Sequence, residues 1–422
     1  MLIEFSVKNF LSFKNKVTLS MEKGNGEENI SNIIKNDITD LLRTSVIYGA
    51  NASGKSNVIK AFTCAIILVR TSNLMMPGGK LDLVRPFLLD DTSRNKPSEF
   101  EFVFITNNIK YRYYFSADEN KIYDEILDAY YSQKPTNIFT RTNTNDYEFN
   151  SDKTKLEELK NKNLENKLFL ATSSSWNYDK TKDPFLWFLN VIDTYDSFTN
   201  ILDNDLISYS KNDKDLKEFT LKLLKEADIL IKDIKVDYEE KNMDENMVDL
   251  LIPKINQNSK VFKTKNINIE LEHEVIDEFN KKHFYKLNFI DESLGTKVLF
   301  SLAPILKRAF SSSKVIIVDE FEKSMHPKLV EFIIKLFNNS DINKYNSQLI
   351  FTTHATNLLD LELLRRDQIW FTEKNPSNGI TDLYPLDSFS VRKDENILKG
   401  YINGRYGAIP FIKDVDLWLE DK

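Results

Sequence analysis

The chain has 422 residues, 41% of them hydrophobic and 12% aromatic, and a net charge of −7. That size predicts two or three lobes with ample buried core, and excludes global disorder. The acidic balance excludes a chain coated in basic surface for nucleic acid, although one local basic groove stays open.

The opening, MLIEFSVKNF, has no charged stretch followed by an apolar one, so no signal peptide is expected. No window holds about 18 uncharged apolar residues, so no membrane span is expected and the predicted location is the cytoplasm. Over the first 20 residues Leu2, Ile3, Phe5 and Val7, then Phe13, Val17 and Leu19, alternate with polar residues and predict an antiparallel hairpin or small meander. A polar loop at 23–40 leads to TSVIY at 44–48, a short buried strand that runs into a glycine-containing loop. Val58–Val69 is apolar almost throughout and predicts a buried helix. Cys64, the single cysteine, lies in it as a buried, inert thiol, which excludes an internal disulfide framework and fits a reducing compartment. Glu99–Ile105 and Lys110–Ser116 alternate around Asn107-Asn108 and predict a second hairpin.

From about 119 to 285 Lys, Asn, Asp and Glu dominate, which suggests an inserted, partly helical lobe with helices near Lys153–Leu170 and Asp213–Ile231. The charged faces read as solvated surface, and no heptad run is sustained. From 286 the alternation of strand and helix returns: a helix at Gly295–Phe310, the buried strand KVIIVDE at 314–320, a helix at His326–Asn338, and strands QLIFTTH (348–354) and QIWFTE (368–373). Apolar strands alternating with helices predict a parallel sheet covered on both faces. The expected division is therefore a first lobe at 1–118, the insert at 119–285 and a second lobe at 286–422.

The sharpest motif is GANASGKS, Gly49 to Ser56, which fits the phosphate-binding pattern G-x-x-x-x-G-K-[ST]. Gly49, Asn51, Ser53, Gly54, Lys55, Ser56 and Asn57 form the candidate nucleotide cradle. Its backbone N–H groups curl around phosphates, Lys55 reaches the β- and γ-phosphates of ATP, and the Ser56 hydroxyl ligates Mg²⁺. VIIVDE supplies the second motif, with carboxylates at the sheet's C-terminal edge. Asp319 is the candidate to hold Mg²⁺ through water, and Glu320 the candidate general base. His354, at a strand end in the same sheet, is the candidate γ-phosphate contact. In DESLGTK, Asp291–Lys297, Ser293 and Gly295 at a helix N-terminus form another anion-binding nest. One ATP does not need two such nests from one subunit, so this loop is expected to cap the γ-phosphate held by a second copy.

These motifs, in this order, resemble the ABC-type ATPase heads of SMC and DNA-repair proteins. More narrowly, they resemble the bacterial AAA-type ATPases of the RloA, AbiL and PARIS kind from abortive-infection and anti-phage systems. LIEFSVKNFLSF is similar to their N-terminal strand, whose Lys8, Asn9 and Ser12 region lies near the nucleotide. SLGT stands where the ABC signature stands, DEFEKSMHP resembles their Walker B and D-loop run, and FTTHATNLLD their switch-histidine segment. GYINGRYGAIPF at 400–411 is also like theirs. The resemblance covers roughly 1–120 and 286–411. It implies an α/β P-loop NTPase built as an ABC/SMC-like ATPase head, with a mostly parallel core sheet, an N-terminal antiparallel β subdomain and a partly helical insert. It also implies ATP and Mg²⁺ as ligands, a homodimer or higher homo-oligomer formed through an ATP sandwich, and control of a separate, nuclease-like effector.

Three features depart from the pattern. No convincing Q-loop glutamine follows the first lobe, since Gln133 lies in a polar loop. The signature is SLGT rather than the transporter-like SGGQ. Glu322-Lys323 replaces the aspartate expected first in the D-loop. A DNA-repair or DNA-clamping ATPase of the SMC type is the alternative function and keeps contact with DNA open. It would call for long coiled-coil arms or a basic groove, and the sequence shows a signal for neither. A transporter subunit would call for SGGQ and a Q-loop.

Overall fold

The computed structural model describes residues 1–195, 209, 213–242, 263–392 and 395–410. Its contacts divide the chain into two compact units, one of residues 1–197, 309–322 and 330–422, the other of residues 198–308 and 323–329.

The first unit is built on two sheets. Its core sheet runs, edge to edge, Ile192–Tyr195, Val315–Val318, Gln348–Thr352, Thr44–Gly49, Ile369–Lys374, Thr381–Pro385. The first five strands are parallel and only the last pair is antiparallel. Chain order and spatial order differ, so the loops after neighbouring strands gather at one edge, where parallel sheets hold ligands. The second sheet is antiparallel and seven-stranded, in the order Asp146–Glu148, Thr136–Thr142, Ile122–Tyr130, Ile109–Ala117, Ser98–Thr106, Leu2–Lys8, Val17–Ser20. The α/β fold with a mostly parallel core and an N-terminal antiparallel β subdomain is therefore present.

The helix Lys55–Thr71 shares one apolar core with both sheets, which explains why it is apolar almost all round. Phe62 stacks on Phe5 of the first strand with centroids 3.8 Å apart, and Phe104 stacks on Trp187 at 4.1 Å. Cys64 is buried in this core, and burial pushes its thiol well above the usual range, as an inert cysteine requires.

Both predicted hairpins form. Asn107 and Asn108 take φ of 48° and 57°, the left-handed pair that a two-residue turn between Ser98–Thr106 and Ile109–Ala117 needs. The compositional change near 119 does not interrupt the antiparallel sheet, because Ile122–Tyr130 pairs directly with Ile109–Ala117. The single helix expected over 153–170 is two, Lys153–Lys160 and Phe169–Ser175. The reason is buried charge. Arg141 takes the carbonyls of Leu164, Glu165 and Lys167, and Glu125 accepts the N–H groups of Phe169 and Leu170 at 2.6 and 2.8 Å, so this backbone is committed to side chains. Ile192–Tyr195, which carried no strand signal, adds the edge strand of the core sheet.

In the second unit Asp213 caps the helix Lys214–Glu226 by accepting the Leu216 N–H at 3.0 Å. The helix stops before Ile231, where a strand begins: Ile231–Asn242, Lys263–Ile276 and Lys282–Asn288 form a three-stranded antiparallel sheet. A lobe expected to be partly helical thus carries long strands as well. Among the described residues no helix is long and apolar enough to cross a membrane.

Candidate functional site

The loop Gly49–Ser56 joins the Thr44–Gly49 strand to the Lys55–Thr71 helix, as the motif demands. Two glycines are required by close approach. A Cβ on Gly49 would lie 2.4 Å from Ser53 Oγ and Thr372 Oγ1 and 2.6 Å from the Thr372 carbonyl oxygen. Gly54 has φ of 111°, and a Cβ there would stand 2.7 Å from the Thr381 side chain.

The packing that crowds these glycines also braces the loop. Ser53 Oγ and Thr372 Oγ1 share a hydrogen bond of 2.7 Å, and Thr381 Oγ1 donates to the Ser53 carbonyl at 2.9 Å. Asn57 Nδ2 donates to Ser12 Oγ at 2.8 Å, and the Ser12 carbonyl accepts from Thr381 N at 2.9 Å. The side chains of Ser53 and Asn57 therefore hold the loop's shape, while Asn51 is exposed at its tip. In the opening segment Ser12 is hydrogen-bonded to Asn57, just past the loop. Lys8 pairs with Glu99 at 2.8 Å, and the Asn9 carboxamide donates to the carbonyls of Ser93, Lys96 and Pro97.

Lys55 is buried and donates to the carbonyls of Gly49 and Ala50 at 2.7 and 3.0 Å. Burial pushes its ammonium below the ordinary lysine range, and the carboxylates of Asp319, Glu322 and Glu320 pull it back up. The structure thus brings the glycine loop and the acidic turn, more than 260 residues apart in sequence, into one electrostatic cluster. The helix that starts at Lys55 has no side-chain cap and no acidic residue in its first turn. The N–H groups of Asn57 and Val58 bond the Gly54 carbonyl, and those ahead of them, with the positive end of the dipole, point toward an anion's place.

Asp319 and Glu320 follow the Val315–Val318 strand, and a residue of the next strand sets them both. Thr352 Oγ1 donates to Asp319 Oδ1 at 2.5 Å and accepts from the Glu320 N–H at 2.8 Å. Glu320 takes φ of 47°, a left-handed conformation that strains a side chain of this size and occurs here at the acidic turn itself. His354 is exposed just beyond, with its N–H on Glu322 Oε1 at 2.6 Å.

Ser56, half-buried in the first helical turn, and Asp319 offer the hydroxyl and carboxylate that Mg²⁺ uses beside phosphate oxygens and water. Among the described residues no group of three or more His, Cys, Asp or Glu could hold a metal ion. Two protein ligands suit a Mg²⁺ that arrives with a polyphosphate. Gln133 is exposed in the loop between Ile122–Tyr130 and Thr136–Thr142.

Ser293 and Gly295 belong to the second unit. Ser293 is exposed at the start of the Leu294–Ser311 helix, where its Oγ accepts the Thr296 N–H at 3.1 Å and bonds Thr296 Oγ1 at 2.8 Å. A Cβ on Gly295 would meet nothing nearer than the Ser324 carbonyl oxygen at 3.5 Å, so the chain's own packing does not demand glycine there. The remaining late segment is described to residue 410, and Phe411 lies outside the described residues. Within it Tyr401 and Tyr406 stack on Phe371 of the core sheet at 5.6 and 5.9 Å.

Thr352, Thr372 and Thr381 carry no motif signal. Only the adjacency of Thr352 to His354 in FTTH would have pointed to any of them.

A protein family described as "AAA domain, putative AbiEii toxin, Type IV TA system" matches residues 45–360, well over half of the chain. That span takes in the glycine loop, Asp319, Glu320 and His354. Among solved structures, the "Crystal structure of the SmcHead bound to the C-winged helix domain of ScpA" is similar over 91% of this chain and 97% of that chain, at 15% sequence identity and a TM-score of 0.40. No curated protein matches the sequence.

Proposed function

The chain belongs to this family of AAA ATPase domains, and from that premise we propose that it binds ATP with Mg²⁺ between two copies of itself and hydrolyses it. The observation that carries the reading is the buried Lys55 at the open end of an uncapped helix, facing the carboxylates of Asp319 and Glu320. Lys55 and the loop N–H groups bind the β- and γ-phosphates, within reach of the backbone of Gly49, Asn51 and Gly54. Ser56 and Asp319 hold Mg²⁺, which supplies charge neutralisation at the phosphate oxygens. Glu320 accepts the proton of the attacking water, and His354 contacts the γ-phosphate. Ser293 and Gly295 of a second copy close the site from the other side.

Thr352→Val is expected to lower turnover about tenfold or more. A hydrogen bond to a charged group contributes about 1.5–3 kcal/mol, and each 1.4 kcal/mol is a factor of ten in rate. Phosphate release at saturating ATP checks this, and an unchanged rate would separate Thr352 from the chemistry.

The composite site has its own test. Ser293→Arg and Lys55→Ala chains, each inactive alone, are mixed with different affinity tags and the mixed dimers isolated. They keep one intact composite site, so partial ATPase activity is expected to return. Verified mixed dimers without activity would overturn the arrangement in trans.

The cycle serves as a clamp and timer for an assembly rather than as chemistry on a small substrate. Its output is control of a separate, nuclease-like effector in a cytoplasmic, bacterial anti-phage system of the abortive-infection type. The family's description, which names a toxin and a toxin–antitoxin system, supports this reading. Co-purification of the chain with the product of its neighbouring gene, with and without ATP, tests it. A neighbour that never binds in either state counts against effector control.

A further inference from the structure

The segment that carries His354 is tied down at consecutive peptides. Thr353 N donates to the Ile47 carbonyl at 3.1 Å. His354 N donates to Glu322 Oε1 at 2.6 Å. Tyr48 Oη donates to the Ala355 carbonyl at 3.1 Å. Two of these ties come from the strand that enters the loop at Gly49. The third comes from the acidic turn, two residues after Glu320.

Glu322 is the tie that packing alone does not explain. A neutral glutamine of the same length could accept the same N–H. The carboxylate instead leaves its second oxygen, Oε2, buried and without a hydrogen-bond partner among the described residues. Such an oxygen costs stability unless a water, an ion or a functional role accounts for it. The charge also faces both elements of the site. Burial first, and then Glu322, pushes the Tyr48 phenol well above its ordinary range, and Glu322 is among the carboxylates acting on Lys55.

We propose that Glu322 is a positioning residue for hydrolysis. It holds the His354 peptide against the acidic turn, so that the imidazole stands where the γ-phosphate is met, and it thereby governs turnover rather than ATP affinity. The inference rests on the roles given above to Glu320 and His354. It also gives the D-loop position a task within the subunit, in place of the aspartate expected there.

The test uses the full chain, with phosphate release for kcat and a fluorescent ATP analogue for affinity. Glu322→Ala is expected to lower kcat about tenfold to a hundredfold, the scale of a misplaced catalytic group, with analogue affinity within about threefold. Glu322→Gln, whose amide oxygen accepts the same N–H, is expected to recover most of the rate. Glu322→Asp, one methylene short, is expected to stay slow. The Glu322→Ala, His354→Ala double variant is expected to be no slower than His354→Ala alone, because both changes remove one contact. Should Glu322→Ala fail to fold, the contrast between a fast Gln and a slow Asp variant carries the test. A fully active Glu322→Ala, equally slow Ala and Gln variants, or losses that multiply in the double variant would each overturn the proposal. The two readings fail differently. A fully active His354→Ala or Glu320→Gln sinks the functional assignment beneath it, whereas a slow His354→Ala beside a fast Glu322→Ala sinks this inference alone.

Discussion

Glu320→Gln is expected to stop ATP turnover while leaving ATP bound and two copies held together. The substitution keeps the shape of the side chain and the N–H that Thr352 accepts at 2.8 Å, so the strained turn at φ of 47° is retained. It removes only the ability to take a proton from water, and a positioned general base contributes about 10²- to 10⁴-fold. Phosphate release should therefore fall by about that factor, with ATP affinity little changed. Because hydrolysis is what separates the copies in this scheme, size-exclusion chromatography with Mg²⁺ and ATP should show a persistent dimer. Normal turnover in this variant would remove Glu320 from the role of base. A variant that neither hydrolyses ATP nor dimerises would break the link between the nucleotide and assembly.

Lys55→Ala is expected to lose nucleotide binding itself. The ammonium is buried, and the carboxylates of Asp319, Glu322 and Glu320 act on it electrostatically. Its loss removes the direct phosphate contact and leaves that acidic group uncompensated at the place where a polyphosphate must enter. Removing one partner from a buried charge pair costs about 3–5 kcal/mol, and a loss of that size in binding would be about two to nearly four orders of magnitude in affinity. Titration with a fluorescent ATP analogue measures the loss. Lys55→Met, which keeps the volume without the charge, should behave in the same way if electrostatics carries the effect. Unchanged affinity in both variants would take the glycine loop out of the mechanism. The two variants are distinct in kind: one is expected to hold ATP and not turn it over, the other not to hold it.

The parts of the site that are contiguous in sequence were legible there. Gly49–Ser56 needs a strand before it and a helix after it, and both are local signals: TSVIY is short, apolar and β-branched, and Val58–Val69 is long and apolar. The acidic turn was legible for the same reason, since VIIV can only be a buried strand and Asp319-Glu320 must then stand at its end. Harder to read was everything set by side chains claiming backbone from afar. Nothing in NKNLENK shows that Arg141 will take the carbonyls of Leu164, Glu165 and Lys167 and so divide a helical pattern in two. The strand Ile192–Tyr195 was missed because IDTY has too few apolar residues to signal burial, and pairing along one side only suffices for an edge strand.

The sequence by itself determined the elements of the candidate site: a glycine loop with its lysine and hydroxyl, an acidic pair on a buried strand, a histidine closing the next strand, and the α/β alternation that must gather them at one sheet edge. Those properties follow from spacing and periodicity, which act over a few residues. Tertiary structure alone decided what makes the loop rigid and the acids aligned. Thr372 and Thr381 press on Gly49 and Gly54, Thr352 bridges Asp319 and Glu320, and Glu322 reaches the peptide of His354. Each of these contacts joins residues from different strands or turns, and strand order in a parallel sheet is set by packing across the whole core, not by any neighbouring stretch of chain.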